Sequence, residues 1–389
     1  MYKCTIIGIS DRREQWFTPE VLQVISKGKV FSGGRRHHEI MASYLPEDAR
    51  WIDITVPLSD VFEKYSTCDD VVIFASGDPL FFGFAATVQR EVPGVQMMVY
   101  PSFNSLQMLA HRLNLPYQDM HVVSLTGRPW DKFDEALISG ESFIGVLTDR
   151  HNTPQVIWNR MLEFGYDNYR MTVGENLGNE EKECVSPFRP DKEYAQPNCL
   201  ILQKLSARTR PFGIPESEFH LLNGRAKMIT KMPIRLLSLS MLDLHQKRSM
   251  WDVGFCTGSV SIEAKLQFPH LQVTAFEVRE EGKALMEQNS RKFGTPGITA
   301  VIGDFLETDT SVYPAPDSIF IGGHGGRLKE MILKIKEVMK PGACIVFNSV
   351  SEESKQMFEE GVREAGMQIT RCSRMALDDF NPIYILKAE

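Results

Sequence analysis

From Met250 onward the chain alternates short apolar runs with amphipathic stretches, and only a sheet with crossover helices accommodates that rhythm. Strands are predicted at 250–253, 272–277, 299–302, 318–321, 343–348 and 368–372, with helices at 259–267, 280–292, 326–339 and 352–365 between them. Pro341-Gly342 stops one helix, and a last strand at 383–387 follows with no helix before it. This order predicts an α/β fold: a doubly wound, Rossmann-like sheet of seven strands, largely parallel, with its last strand antiparallel.

In such a sheet a ligand lies beyond the carboxyl ends of the first strands. There the sequence runs Trp251-Asp252-Val253-Gly254-Phe255-Cys256-Thr257-Gly258-Ser259, a buried strand entering a glycine turn and then a helix. Gly254 and Gly258 are expected to let backbone approach a ligand. Thr257 and Ser259, at the helix start, offer unpaired N–H groups to a carboxylate, with Asp252 beside them. Glu277, ~20 residues on, is placed to accept from ribose hydroxyls, and Gly303-Asp304 to border a base. Cys256 stands where a dinucleotide fingerprint has its middle glycine, so a nucleoside with a short zwitterionic tail fits better. Thr230 and Lys231 precede a helix and are expected either to fold over this ligand or, for Thr230, to cap that helix. After the fourth strand, Gly322-Gly323-His324-Gly325-Gly326 gives a flat ligand access to backbone, and His324 is a candidate contact.

The first half has a different pattern. Segments 4–9 and 71–75 read as parallel strands buried on both faces, with further strands at 97–100, 122–125, 143–147, 170–175 and 199–203. After Ser76-Gly77-Asp78-Pro79, a helix is predicted from Phe81, with Asp78 as its cap and Pro79 at its first position. At 389 residues the chain exceeds one hydrophobic core. The Pro-, Gly- and Arg-rich stretch 206–216 reads as a linker between domains at 1–205 and 217–389.

Composition excludes several classes. With 43% hydrophobic and 24% charged residues the chain is an ordinary globular protein. Its apolar runs are too short to cross a bilayer and it lacks a signal-peptide layout, so no membrane partner and a cytoplasmic location are expected. The seven cysteines form no C-x-x-C pair, so neither a metal site nor a disulfide framework is expected. A net charge of −7 argues against nucleic acid as partner. Local basic groups remain at Arg35-Arg36 and at Arg208, Arg210, Arg225, Lys227, Lys231 and Arg235.

Longer motifs carry a resemblance. Ala75-Ser76-Gly77-Asp78-Pro79-Leu80-Phe81-Phe82-Gly83, Tyr100-Pro101-Ser102-Phe103-Asn104-Ser105, Ser124-Leu125-Thr126-Gly127-Arg128-Pro129 and Leu147-Thr148-Asp149-Arg150 resemble the tetrapyrrole (corrin and porphyrin) methylase family, in its precorrin branch. Gly213-Ile214-Pro215-Glu216, Met228-Ile229-Thr230-Lys231, Trp251-Asp252-Val253-Gly254 and Ile319-Phe320-Ile321-Gly322-Gly323 are similar to the decarboxylating precorrin methyltransferases.

The resemblance implies a two-lobed tetrapyrrole-methylase fold followed by a class I methyltransferase fold, each with a site for S-adenosylmethionine. It implies methylation of a precorrin macrocycle at carbons 5 and 15 with loss of carbon dioxide from an acetate side chain, in cobalamin synthesis. In the first domain it places the donor on Gly8, Ile9, Ser76, Gly77, Asp78, Phe81, Asn104, Ser105 and Thr148. In the second the donor falls on Thr230, Asp252, Gly254, Thr257, Gly258, Ser259, Glu277, Gly303, Asp304 and Gly322. Arg35, Arg36, Arg128, Lys231, Gly323 and His324 are assigned to the many-carboxylate substrate. No residue is assigned to bond-making, since a sulfonium methyl and an electron-rich macrocycle need mainly alignment. The family's habit implies a homo-oligomer. Other readings stay open: one half acting only as a docking module, a second half acting on RNA adenine, or a nicotinamide oxidoreductase.

Overall fold

The computed structural model describes residues 2–224, 228–377 and 381–389, so Arg225 and Lys227 lie outside the described residues. The chain divides into two compact units: the first comprises residues 1–128, 142–158 and 169–205, and the second 129–141, 159–168 and 206–389.

The first unit holds two sheets. One contains β1 (Lys3–Ile9), β2 (Val30–Gly33), β3 (Arg50–Asp53), β4 (Asp70–Ser76) and β5 (Gln96–Tyr100), all parallel, in the order β3-β2-β4-β1-β5. β1 and β4 sit centrally, with Ile6, Ile7, Ile73 and Phe74 fully buried, as continuous apolar runs require in a sheet covered on both faces. The other contains β6 (His121–Ser124), β7 (Phe143–Leu147), β8 (Tyr169–Glu175), β9 (Cys184–Pro187) and β10 (Asn198–Lys204), ordered β6-β7-β10-β8-β9. Here only β6 and β7 are parallel.

One expectation for this unit is corrected. The helix after the Gly-Asp-Pro turn is Phe84–Glu91 with Gly83 as its cap, not a helix from Phe81 with Pro79 at its start. Asp78 Oδ1 accepts from Leu80 N at 2.9 Å, closing a local turn that postpones the helix.

The second unit's sheet contains β11 (Ser249–Val253), β12 (Gln272–Glu277), β13 (Ile298–Ile302), β14 (Ser318–Ile321), β15 (Cys344–Ser349), β16 (Ile369–Met375) and β17 (Ile383–Ala388), ordered β13-β12-β11-β14-β15-β17-β16. As expected it is doubly wound, seven-stranded and parallel except for β17, which runs antiparallel to both neighbours. Trp251 anchors one face. It packs edge-on against Phe276 and Phe305, and its Nε1 donates to Pro314 O at 3.1 Å.

A fully buried ion pair shapes the chain that precedes this sheet. Arg235, in the helix Met232–Met241, donates to Glu263 Oε2 at 2.6 Å and to the carbonyls of Thr230 (2.8 Å) and Ile214. Glu263 Oε1 in turn accepts from Gly213 N and Ile214 N. The stretch from 213 is therefore docked onto the sheet's own helices, and Thr230 is tied through its carbonyl to the same arginine. No helix among the described residues is long and apolar enough to cross a membrane.

Candidate functional site

The second unit contains a cavity of about 900 Å³ at the carboxyl ends of β11, β12, β14 and β15. β11 is buried along its whole length and ends at Val253, and at Gly254, the first residue of the turn, φ is +81°. Two amides of the turn, Gly254 N and Phe255 N, donate to Phe276 O at 2.8 and 3.2 Å, and Cys256 N donates to Glu277 Oε2 at 2.8 Å. The turn is thus sewn to the end of β12 before the helix Ser259–Gln267 begins. Asn289 Nδ2 holds it from the other side, donating to Thr257 O at 2.9 Å.

A Cβ on Gly254 would meet Gly323 N at 2.5 Å, and one on Gly258 would meet Met286 Sδ at 2.6 Å. Both are demanded by close approach within the protein. Gly254 lines the cavity and Gly258 does not. Thr230 is also no helix cap: Lys231 occupies that position, and both residues line the cavity.

Most of the expected donor residues of this half do meet there: Asp252, Gly254, Thr257, Ser259, Glu277, Gly303, Asp304 and Gly322 line one continuous wall, together with Gly323 and His324. Three wall residues carry buried polar atoms with no protein partner: Asp252 Oδ1, Thr257 Oγ1 and Asn348 Nδ2. Such atoms are costly unless something else satisfies them. Asp252 Oδ2 accepts from Ser261 Oγ at 2.6 Å and Ser261 N at 3.2 Å, yet burial still raises its pKa to about 7. Glu277 is buried, and its Oε1 accepts from Arg279 N at 3.1 Å and Nη1 at 3.2 Å. Asp304 accepts from Leu306 N at 2.8 Å and pairs with Arg327 at 3.2 Å.

This donor set fits an amino-acid-bearing nucleoside. A buried carboxylate oxygen and a hydroxyl lie free at the start of a helix, and a second buried carboxylate stands at the end of the next strand. Sequence reasoning missed another part of the lining, Met331, Asn348, Met375, Leu377 and Ile383, and the two arginines Arg279 and Arg327.

In the first unit the expected donor residues pack mainly against one another. Gly77 N donates to Ile9 O at 2.8 Å, Ser102 N donates to Gly77 O at 3.3 Å, and a Cβ on Gly8 would lie 2.0 Å from Gly77 O. The turns after β1 and β4 and the segment before the helix Ser105–Arg112 thus meet at one point, with Asn104 capping that helix through Gln107 N at 2.9 Å.

A cavity of about 530 Å³ beside this point is lined by Gly8, Ser10, Arg12, Trp16, Tyr100, Ser102, Phe103, His111 and Arg112, among others. Of the nine expected donor residues only Gly8 faces it. Ile9 is buried, Phe81 packs on the cluster around Leu106, and Thr148 Oγ1 donates to Asn198 O at 2.6 Å. Ser76, Gly77, Asp78, Asn104 and Ser105 are likewise absent from its wall.

The expected substrate cations of this unit diverge. Arg36 donates to Ser76 Oγ at 2.9 Å and pairs with Asp11 at 3.3 Å, placing it at the glycine turns. His37 contacts the same hydroxyl at 2.9 Å, and burial followed by the Arg36 charge pushes its pKa down to about 4. Arg35 points to solvent and pairs with Glu39. Arg128 lies over the Phe82 ring at 5.2 Å. Phe82 is itself a non-glycine residue at φ +52°.

The seven-stranded sheet with its antiparallel β17 and the cavity at the carboxyl ends of its strands define a class I methyltransferase half. Comparison with known proteins agrees. Residues 223–383 match the precorrin methyltransferase domain, and residues 3–188 match the tetrapyrrole (corrin/porphyrin) methylases.

The chain is 28% identical over 373 residues to a precorrin-6Y C(5,15)-methyltransferase [decarboxylating] from a Sinorhizobium species, covering 94% of this chain and 89% of that one. It is 34% identical over 162 residues to the cobalt-precorrin-6B C(15)-methyltransferase (decarboxylating) of Salmonella typhimurium, covering 42% of this chain and 83% of that one. A solved structure titled precorrin-6y C5,15-methyltransferase, from Geobacter metallireducens, aligns with 46% of this chain and 97% of its own at 32% identity and a TM-score of 0.41. The chain belongs to the family of decarboxylating precorrin methyltransferases.

Proposed function

We propose that this chain methylates a precorrin-6Y-type macrocycle at carbons 5 and 15 and removes the carboxyl of its C12 acetate as carbon dioxide, in cobalamin synthesis. Residues 1–205 form the C5-methylating domain, 206–216 the linker, and 217–389 the C15-methylating, decarboxylating domain. Each domain has its own site for S-adenosylmethionine. The protein works in the cytoplasm as a homo-oligomer, without nucleic acid or membrane.

The observation that carries this reading is the 900 Å³ cavity, whose wall combines nucleoside-binding chemistry with an apolar surface. Its volume stands at the upper end of small-molecule sites, enough for a nucleoside and part of a second ligand. When bound, the donor supplies an electrophilic methyl on a sulfonium. Asp252 Oδ1 and Thr257 Oγ1 hold its amino-acid end, and the buried Glu277 its ribose. Gly303 and Asp304 border its base. Gly322 and the strap Thr230-Lys231 close over it, while Met331, Met375 and Leu377 exclude water from the face of the macrocycle. In the first domain the donor falls on Gly8, Ile9, Ser76, Gly77, Asp78, Phe81, Asn104, Ser105 and Thr148, and the meeting of the turns after β1 and β4 with the segment before Ser105 supports that placement. Arg36 and Arg128 meet substrate carboxylates.

The reading is tested by calorimetric titration of the full chain with S-adenosylmethionine. Two binding sites are expected. Heat corresponding to a single site would remove the assignment of one donor to each domain.

A further inference from the structure

We propose that His324 is the neutral hydrogen-bond donor that orients the carboxylate lost as carbon dioxide; this deepens the reaction assigned above and rests on it. Three observations lead there. First, the loop carrying His324 is fixed to the donor turn. Gly322 N and Gly323 N both donate to Val253 O, at 2.8 and 3.3 Å, and the Gly323 backbone occupies the space a Gly254 side chain would need. The imidazole that follows stands on the cavity wall beside that turn.

Second, the ring is locked in one state. Nδ1 accepts from Gly326 N at 3.1 Å, so the proton of the neutral ring is on Nε2. A second proton would set Nδ1–H against the Gly326 N–H, and burial further disfavours the charged form. The ring also rests edge-on against Phe347, with centroids 5.8 Å apart. Nε2–H has no protein acceptor among the described residues.

Third, the arginines on this wall are already paired. Arg279 pairs with Glu277 at 3.2 Å, and Arg327 pairs with Asp304 at 3.2 Å and Glu330 at 2.7 Å. His324 Nε2–H is an uncharged donor on a wall whose arginines already have carboxylate partners.

Decarboxylation gives that distinction chemical meaning. The bond between the acetate methylene and its carboxylate breaks, the electron pair passes into the conjugated ring, and the charge on the carboxylate disappears as carbon dioxide. A proton from water then completes the methyl group. A cation gripping the carboxylate stabilises the ground state and loses its partner as the bond breaks, so it raises the barrier. A neutral N–H fixes the carboxylate's direction without adding the full charge–charge attraction of a bidentate cation.

The experiment compares His324→Gln, His324→Ala and His324→Arg in the full chain, measuring released carbon dioxide, macrocycle affinity and donor affinity. His324→Ala is expected to release carbon dioxide at least about tenfold more slowly, because the breaking bond is no longer held in line with the ring's conjugated system. His324→Gln, which keeps an N–H near the Nε2 position, should recover most of that rate. His324→Arg should bind the macrocycle at least as tightly as the native chain yet release carbon dioxide about tenfold more slowly. The inference is overturned if His324→Ala or His324→Arg matches the native rate, or if His324→Gln is as slow as His324→Ala. A fall in donor affinity equal to the loss of rate would make His324 a structural residue and also overturn it. A native chain that releases no carbon dioxide from any precorrin would instead sink the assigned reaction, and this role with it.

Discussion

Asp252 couples donor binding to pH. Its carboxyl is 1% exposed, Oδ2 is used by Ser261, and Oδ1 has no partner, so burial holds its pKa at about 7 in the free chain. A donor ammonium reaching Oδ1 requires the carboxylate, so the protonated fraction must first be ionised. The folded pKa is raised above the usual carboxyl range, so binding strength is lost as pH falls through 7 and is level above it. With a pKa of about 7, the carboxylate fraction is roughly 0.9 at pH 8 and roughly 0.1 at pH 6, which makes apparent affinity about tenfold weaker at pH 6. Calorimetry at pH 6 in buffers of different ionisation enthalpy should also show close to one proton released per donor bound in this domain. Asp252→Asn removes both effects and, by deleting a charge-assisted bond of about 1.5–3 kcal/mol, weakens binding at pH 8 by at least about tenfold. An affinity that does not change between pH 6 and 8 in the native chain, or a slope that survives in Asp252→Asn, would refute the reasoning.

Other consequences are equally direct. Gly254→Ala places a methyl 2.5 Å from Gly323 N at a positive φ, and should destabilise the second unit by more than ~1 kcal/mol, visible as a lowered melting temperature. An unchanged melting temperature would show that the two loops part easily. Arg235→Leu strips the partner from the fully buried Glu263, and chemical denaturation should register a loss of about 3–5 kcal/mol. Asp252 also affects stability: with its pKa raised from the usual value to about 7, the free chain should become less stable as pH climbs from about 4 to about 7, and Asp252→Asn should flatten that decline in melting scans. Arg36→Ala should weaken precorrin binding more than donor binding. Equal losses would remove Arg36 from the substrate site and leave it as a support of the Ser76 turn.

The second unit was legible because its signals are contiguous. Each strand is an apolar run bounded by a turn, and the wall above β11 derives from segments such as 252–259 that the chain presents in one piece. The rest of the lining was not legible, since Met331, Asn348, Met375 and Leu377 are far apart in the chain and come to one cavity only through the fold. Gly258 misled because a glycine needed for Met286 looks the same in sequence as one needed for a ligand. In the first unit β2, β3 and β9 went unread: each is four residues long, and β3 and β9 lie at sheet edges where few side chains are buried. The helix after Pro79 began later than its proline suggested, because Asp78 satisfied Leu80 first. The linker reading rested on Pro, Gly and Arg content, which cannot reveal that Gly213 and Ile214 would find Glu263.

The central claim, a double methylation with decarboxylation by one chain, is tested most directly by product mass. The full chain is incubated with precorrin-6Y and isotopically labelled S-adenosylmethionine, and the macrocycle is weighed. The account requires two labelled methyl groups gained and one carbon dioxide lost per macrocycle. A product with a single methyl, or with both methyls and every carboxyl intact, would contradict it.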